Sequence, residues 1–149
     1  MARFFEVVKD EFRTNDETII LPTRASEHSA GYDFYSPVDI IINPNESKLI
    51  WTDVKAHMYY DNVLLIFVRS SMGKHPVVIA NGTGVIDSDY YGNESNDGNI
   101  GFRLLNLGDK PYEIKKGDRI GQGVFVKFGT VKNDTTTEQR AGGFGHSGK

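Results

Sequence analysis

The feature that most constrains this chain is the length and make-up of its apolar runs. They are short and rich in β-branched and aromatic residues: "ETIIL", "VDIII", "KLIWTDV", "NVLLIFV", "PVVIA", "FRLLN" and "GVFVKF". Such runs fit half-buried strands rather than helices. Between them stand turn signals, "INPNES", "NGTG", "NESNDGN", "LGDKP" and "KKGD", at the spacing of a sandwich or barrel. No 3.6-residue periodicity is sustained over a dozen residues, although "MARFFEVVKDEF" reads equally as a short helix or a strand. The expected fold class is all-β.

With 149 residues the chain can bury one good core but not two. The 38% apolar and 25% charged content is that of a globular domain, above the range of disorder and below that of a membrane protein. No run approaches the ~20 apolar residues of a transmembrane helix, and the acids in the first twelve positions do not suit a secretory leader. A cytoplasmic location is therefore expected. The sequence has no cysteine, which removes disulfides, thiolate metal sites and the zinc deaminase signature. A formal charge of −3 argues against coating nucleic acid, so any anionic ligand must be met by local positive groups.

Two segments stand apart. "YGNESNDGN", from Tyr91 to Asn99, is polar and reads as a surface loop. From about Thr130 the chain loses its apolar content and ends with four glycines in its last eight residues. The expected division is a β-domain over 1–129 and a flexible arm over 130–149. One Phe set between glycines makes ordering by a ligand the alternative to plain disorder.

The segment most suggestive of chemistry is "NGTGVIDSDYYG", Asn81 to Gly92. Glycines there let backbone approach a ligand, and strand alternation would put Asp87 and Asp89 on one face and Ile86 on the other. A plain turn with solvent-facing acids remains the alternative for an isolated "DSD". In "VRSSMGKH" the most hydrophobic strand ends in Arg69, Ser70 and Ser71, a charged fork and small donors suited to phosphate oxygens. "AGYDFYSP" sets Asp33 inside a strand-like run, where an inward acid needs a partner. "KGDRIGQGVF" adds Arg119 and Gln122, and the tail adds Arg140, Phe144, His146 and Ser147. His28, His57 and His75 read as exposed, and Trp51 and the aromatics of "FYS" as core or subunit contacts.

Together "AGYDFYS", "RSS", "GVIDSDYYG", "RIGQ" and "GGFGHSG" resemble, in order and from about Ala30 to Gly148, the five motifs of the homotrimeric dUTPase family. The resemblance implies a distorted jelly-roll or β-barrel fold and Mg²⁺-dependent hydrolysis of dUTP to dUMP and pyrophosphate. It makes Asp87 the general base that activates water, and Tyr90 the aromatic that packs on deoxyribose and excludes a 2′-hydroxyl. Asn81 and the backbone of Gly84, Val85 and Ile86 would read the uracil edge. Arg69, Ser70, Ser71 and Gln122 would bind phosphates, and Asp33 would act near the metal through water. Phe144 would lie over the base, with Gly145, His146 and Ser147 near the phosphates. Arg119 suits a structural ion pair as well as a substrate contact.

Arg140 matches the tail arginine of the γ-phosphate, although one residue, Ala141, separates it from "GGF" where many members have two. The loop "NESNDGN" is longer than the usual connection, which leaves the last backbone contact of the uracil pocket, near Gly101, unassigned. The resemblance also implies a homotrimer with sites at subunit interfaces and an arm that closes over a neighbour. Two rival readings are a dCTP deaminase of the same fold and a regulatory module that binds another protein.

Overall fold

The computed structural model describes residues 2–143, and within them the chain is all-β, with twelve strands and three short 3₁₀ turns. No helix among them is long and apolar enough to cross a membrane. The run "FFEVV" forms strand β1 (Phe4–Val7) and "DEF" a 3₁₀ turn, so the amino-terminal segment resolves into strand rather than helix. The other strands are β2 (Thr23–Arg24), β3 (Tyr32–Tyr35), β4 (Ile40–Ile42), β5 (Ser47–Trp51) and β6 (Val54–His57). They are followed by β7 (Asn62–Phe67), β8 (Val77–Ile79), β9 (Gly84–Asp87), β10 (Gly101–Asn106), β11 (Tyr112–Ile114) and β12 (Arg119–Lys127).

All ladders are antiparallel. A five-stranded sheet runs β2-β3-β12-β7-β9, a three-stranded sheet β5-β10-β8, and the pairs β1-β6 and β11-β4 complete a distorted jelly-roll. Alternation along β10 sends Phe102 and Leu104 inward, both fully buried, while Arg103 between them is exposed. Phe102 meets Phe34 of β3 with ring centroids 5.3 Å apart, joining the two larger sheets through one core that also holds Ile50, Leu64 and Ile66.

Several sequence readings are corrected. "ETIIL" forms no strand: Pro22 closes it without a donor, and Ile20 and Leu21 stay exposed. "KLIWTDV" is two strands, because Asp53 adopts φ 56° and turns the chain between β5 and β6. His57, expected to be exposed, is half-buried and stacks on Phe4 at 4.7 Å. The loop over 91–99 is no simple surface connection, since Asn93, Asp97 and Asn99 are all buried.

Candidate active site

Strand β9 lies at the edge of the five-stranded sheet, paired with β7 in the register Ile66↔Gly84 to Val63↔Asp87. Gly84 and Ile86 point inward and are buried, whereas Val85 is exposed and Asp87 half-exposed. Only glycine fits at 84, because a Cβ there would stand 2.2 Å from Ile66 Cγ1. After Asp87 the strand stops and Ser88–Tyr90 wind into a 3₁₀ turn, so strand alternation does not extend to Asp89. The two acids are joined instead by Arg140, whose Nη2 bonds Asp87 Oδ2 and whose Nε donates to Asp89 Oδ1 at 2.7 Å.

The hairpin borders a cavity of about 530 Å³. Asn81, Gly84, Val85, Ile86, Asp87, Tyr90 and Arg140, all singled out in the sequence, line it together. Gly101, the position near which the resemblance left a contact unassigned, lines it too. Arg103 was missed. Its signal was the period-two pattern of "GFRLLN", which places it on the same face as Gly101.

Tyr90 is 3% exposed and its hydroxyl is doubly engaged: it donates to the Asn99 carbonyl at 2.7 Å and accepts from Asn96 Nδ2 at 2.6 Å. Burial pushes the phenol up to about 12, against the opposing effects of the Asn96 hydrogen bond and the Arg140 charge. Gly143 of the tail rests against the same ring, where an added Cβ would come within 2.4 Å of Tyr90 Cε2.

A second cluster forms where β7 ends. Arg69 Nε meets Asp33 Oδ1 at 3.0 Å, and Arg119 Nε meets the other carboxylate oxygen at 3.7 Å. Asp33 is thus buried between two arginines, and Arg119 takes the structural ion pair left open by the sequence. Ser70 and Ser71 are exposed in the 3₁₀ turn Ser70–Lys74, with Ser71 Oγ 3.5 Å from Arg69 Nη1. Gln122 pairs across from both Phe67 and Asp33 in the ladders and reaches the Val68 carbonyl at 3.4 Å. None of Arg69, Ser70, Ser71 or Gln122 lines the hairpin cavity. Phe144, Gly145, His146 and Ser147 lie outside the described residues.

The described residues thus set a hairpin ending in an acid over a cavity, an enclosed tyrosine in its wall and a separate arginine and serine cluster on one antiparallel β-fold. The dUTPase family model matches residues 17–148. The deoxyuridine 5′-triphosphate nucleotidohydrolase of Lactococcus lactis is 41% identical, over 98% of this chain and 97% of that one. Among solved structures, the dUTPase of Streptococcus mutans superposes with a TM-score of 0.77 at 36% identity, covering 87% of this chain and 98% of that chain. A mutant dUTPase from phage phi11 of S. aureus, described for its coordination of a structural Mg(II) ion, shares the fold with a TM-score of 0.71 at 22% identity, covering 93% of this chain and 98% of its own. The chain belongs to the dUTPase family.

Proposed function

We propose that this chain hydrolyses dUTP to dUMP and pyrophosphate, which keeps uracil out of DNA and supplies dUMP. The observation that carries the reading is Asp87 at the rim of a cavity whose wall is hairpin backbone and whose enclosed aromatic is Tyr90. Asp87 acts as general base, taking the proton of a water aligned on the α-phosphate opposite the departing pyrophosphate. Backbone of Gly84, Val85 and Ile86, with Asn81, presents uracil with donors and acceptors that cytosine would leave unpaired. Tyr90 packs on the deoxyribose and leaves no room for a 2′-oxygen.

Arg69, Ser70, Ser71 and Gln122 bind phosphate oxygens. Their place outside the cavity of a single chain supports a homotrimer, in which a second copy brings this cluster to a neighbour's hairpin. Arg140 takes the γ-phosphate, and Phe144 to Ser147 close over base and phosphates. In this reading Mg²⁺ would be held by the phosphate oxygens and water, with Asp33 reaching the ion through water. When bound, Mg²⁺ neutralises charge on the triphosphate. The dUTP pool concerned is cytoplasmic.

The test is pyrophosphate release with Mg²⁺ from dUTP, dCTP, dTTP and UTP. Turnover should be far faster with dUTP than with the other three. Equal turnover of UTP would remove the reading, and ammonia release from dCTP would assign a deaminase instead.

A further inference from the structure

The reaction as assigned uses nothing from residues 91–99, yet this loop is anchored through buried polar side chains. Asp97, 1% exposed, accepts from Lys55 Nζ at 2.7 Å and from the Lys9 backbone at 2.8 Å. Asn99, equally buried, donates to Asp53 Oδ1 at 2.8 Å and accepts from the Asp53 backbone at 2.9 Å. Asp53 in turn accepts from the Thr14 backbone and hydroxyl. The loop is thus tied to two distant segments of the chain, 9–14 and 53–55.

From this anchored loop two hydrogen bonds converge on one atom, the Tyr90 hydroxyl. A phenol has one proton to give, used on the Asn99 carbonyl, and oxygen lone pairs, one of which receives Asn96. The ring is therefore held at its backbone end and at its far tip. It cannot tilt or retreat without stretching one of these bonds, and hydrogen bonds weaken steeply off geometry. Burial keeps the hydroxyl protonated throughout the working pH range.

We propose that Asn96 is a positioning residue for sugar selectivity, fixing the Tyr90 ring in the place from which it excludes a ribonucleotide's 2′-hydroxyl. This rests on the proposed dUTP hydrolysis, in which Tyr90 packs on the sugar. A rigid ring rejects the additional oxygen sterically, whereas a ring free at its tip can move aside for it. The expected consequence is asymmetric. Loosening Tyr90 should weaken productive packing on dUTP and at the same time admit UTP.

The experiment compares kcat/KM for dUTP and UTP, by pyrophosphate release with Mg²⁺, in the unaltered protein, Asn96→Ala, Tyr90→Phe and Ser95→Ala. Ser95 serves as the control because its backbone and hydroxyl bond Asn93 within the same loop. The dUTP to UTP ratio should fall about five- to tenfold in Asn96→Ala and Tyr90→Phe, the order expected for a lost hydrogen bond. Turnover of UTP should rise in absolute terms, and Ser95→Ala should keep the original ratio. A merely structural loop would lower both substrates together and leave the ratio unchanged, which would overturn the proposal. Should Asn96→Ala fail to fold, Tyr90→Phe decides alone, since it keeps the ring and loses both bonds. An unaltered protein inert toward dUTP removes the proposed function and this inference with it. A selective one whose ratio survives both substitutions removes the inference only.

Discussion

Arg140 bonds Asp87 directly, so the tail's guanidinium occupies the carboxylate proposed as general base. The Arg140 side chain is 22% exposed and that of Asp87 46%, which leaves the pair open to competition from a stronger anion. A triphosphate is such an anion, and transfer of Arg140 to it would release Asp87 for the water.

Arg140→Ala should therefore lower kcat/KM for dUTP even though it frees the carboxylate. The fall expected for loss of a charge-assisted contact to phosphate is about 10- to 100-fold. Steady-state kinetics decide it: a faster Arg140→Ala enzyme would make the contact purely inhibitory.

Asp87→Asn should retain nucleotide binding and lose turnover by roughly 10²–10⁴, the range of general-base catalysis. Calorimetric titration with a non-hydrolysable dUTP analogue, beside kcat, separates the two effects. Turnover close to the original would refute the assignment.

The placement of Arg69 and Gln122 outside the cavity leads to a mixing experiment. The protein should sediment as a trimer, and subunit exchange between Asp87→Asn and a chain ending before Arg140 should recover part of the activity. A fully active monomer in the ultracentrifuge would contradict shared sites.

Asp33 joins two arginines, so Asp33→Ala should expose their mutual repulsion. Breaking a fully buried pair costs about 3–5 kcal/mol; with the Arg69 and Arg119 side chains 27% and 44% exposed, solvent screening reduces this to about 1–3 kcal/mol. Denaturant unfolding measures it. A midpoint unchanged from the original would show that water already satisfies both guanidinium groups.

Stability should fall at both pH extremes for identifiable reasons. Burial alone would raise the Asp97 carboxyl, but the Lys55 and Lys9 hydrogen bonds outweigh it and hold it below the usual carboxylate range. A depressed acid contributes stability above its unfolded value, about 3.9, and loses it as pH falls through the folded value. Tyr90 works in the other direction: its stability is intact below about 10 and disappears as pH climbs toward about 12, because only the unfolded chain ionises there. Thermal melts across pH should show a reduced acid limb in Asp97→Asn and a reduced alkaline limb in Tyr90→Phe.

What could be read in the sequence depended on how local its cause was. "NVLLIFV" and "GVID" carry their strand signal within a few residues, and both form strands that meet in one ladder. The cavity residues Asn81 to Tyr90 are nearly contiguous, so one motif yielded most of the hairpin wall. The loop over 91–99 was misread because its Asn and Asp side chains are satisfied by Asp53 and Lys55, some forty positions away. Polar composition signals a surface only when the partners are water. "ETIIL" misled for the converse reason, an apolar run that no neighbouring strand pairs.

The place of β12 in the five-stranded sheet bears on how this molecule can be made. It is the last strand among the described residues and yet sits between β3 and β7, hydrogen-bonded to both. Until it is synthesised, aromatic β3 (Tyr32, Phe34, Tyr35) and mostly aliphatic β7 (Val63 to Phe67) have bare edges toward each other, and loops of more than fifty residues must close before they are covered. Such distant pairings are slow to form and leave nascent chains prone to association. The sheet must therefore complete after translation has passed Lys127, and a message truncated upstream of Arg119 would yield a sticky fragment rather than a smaller working domain.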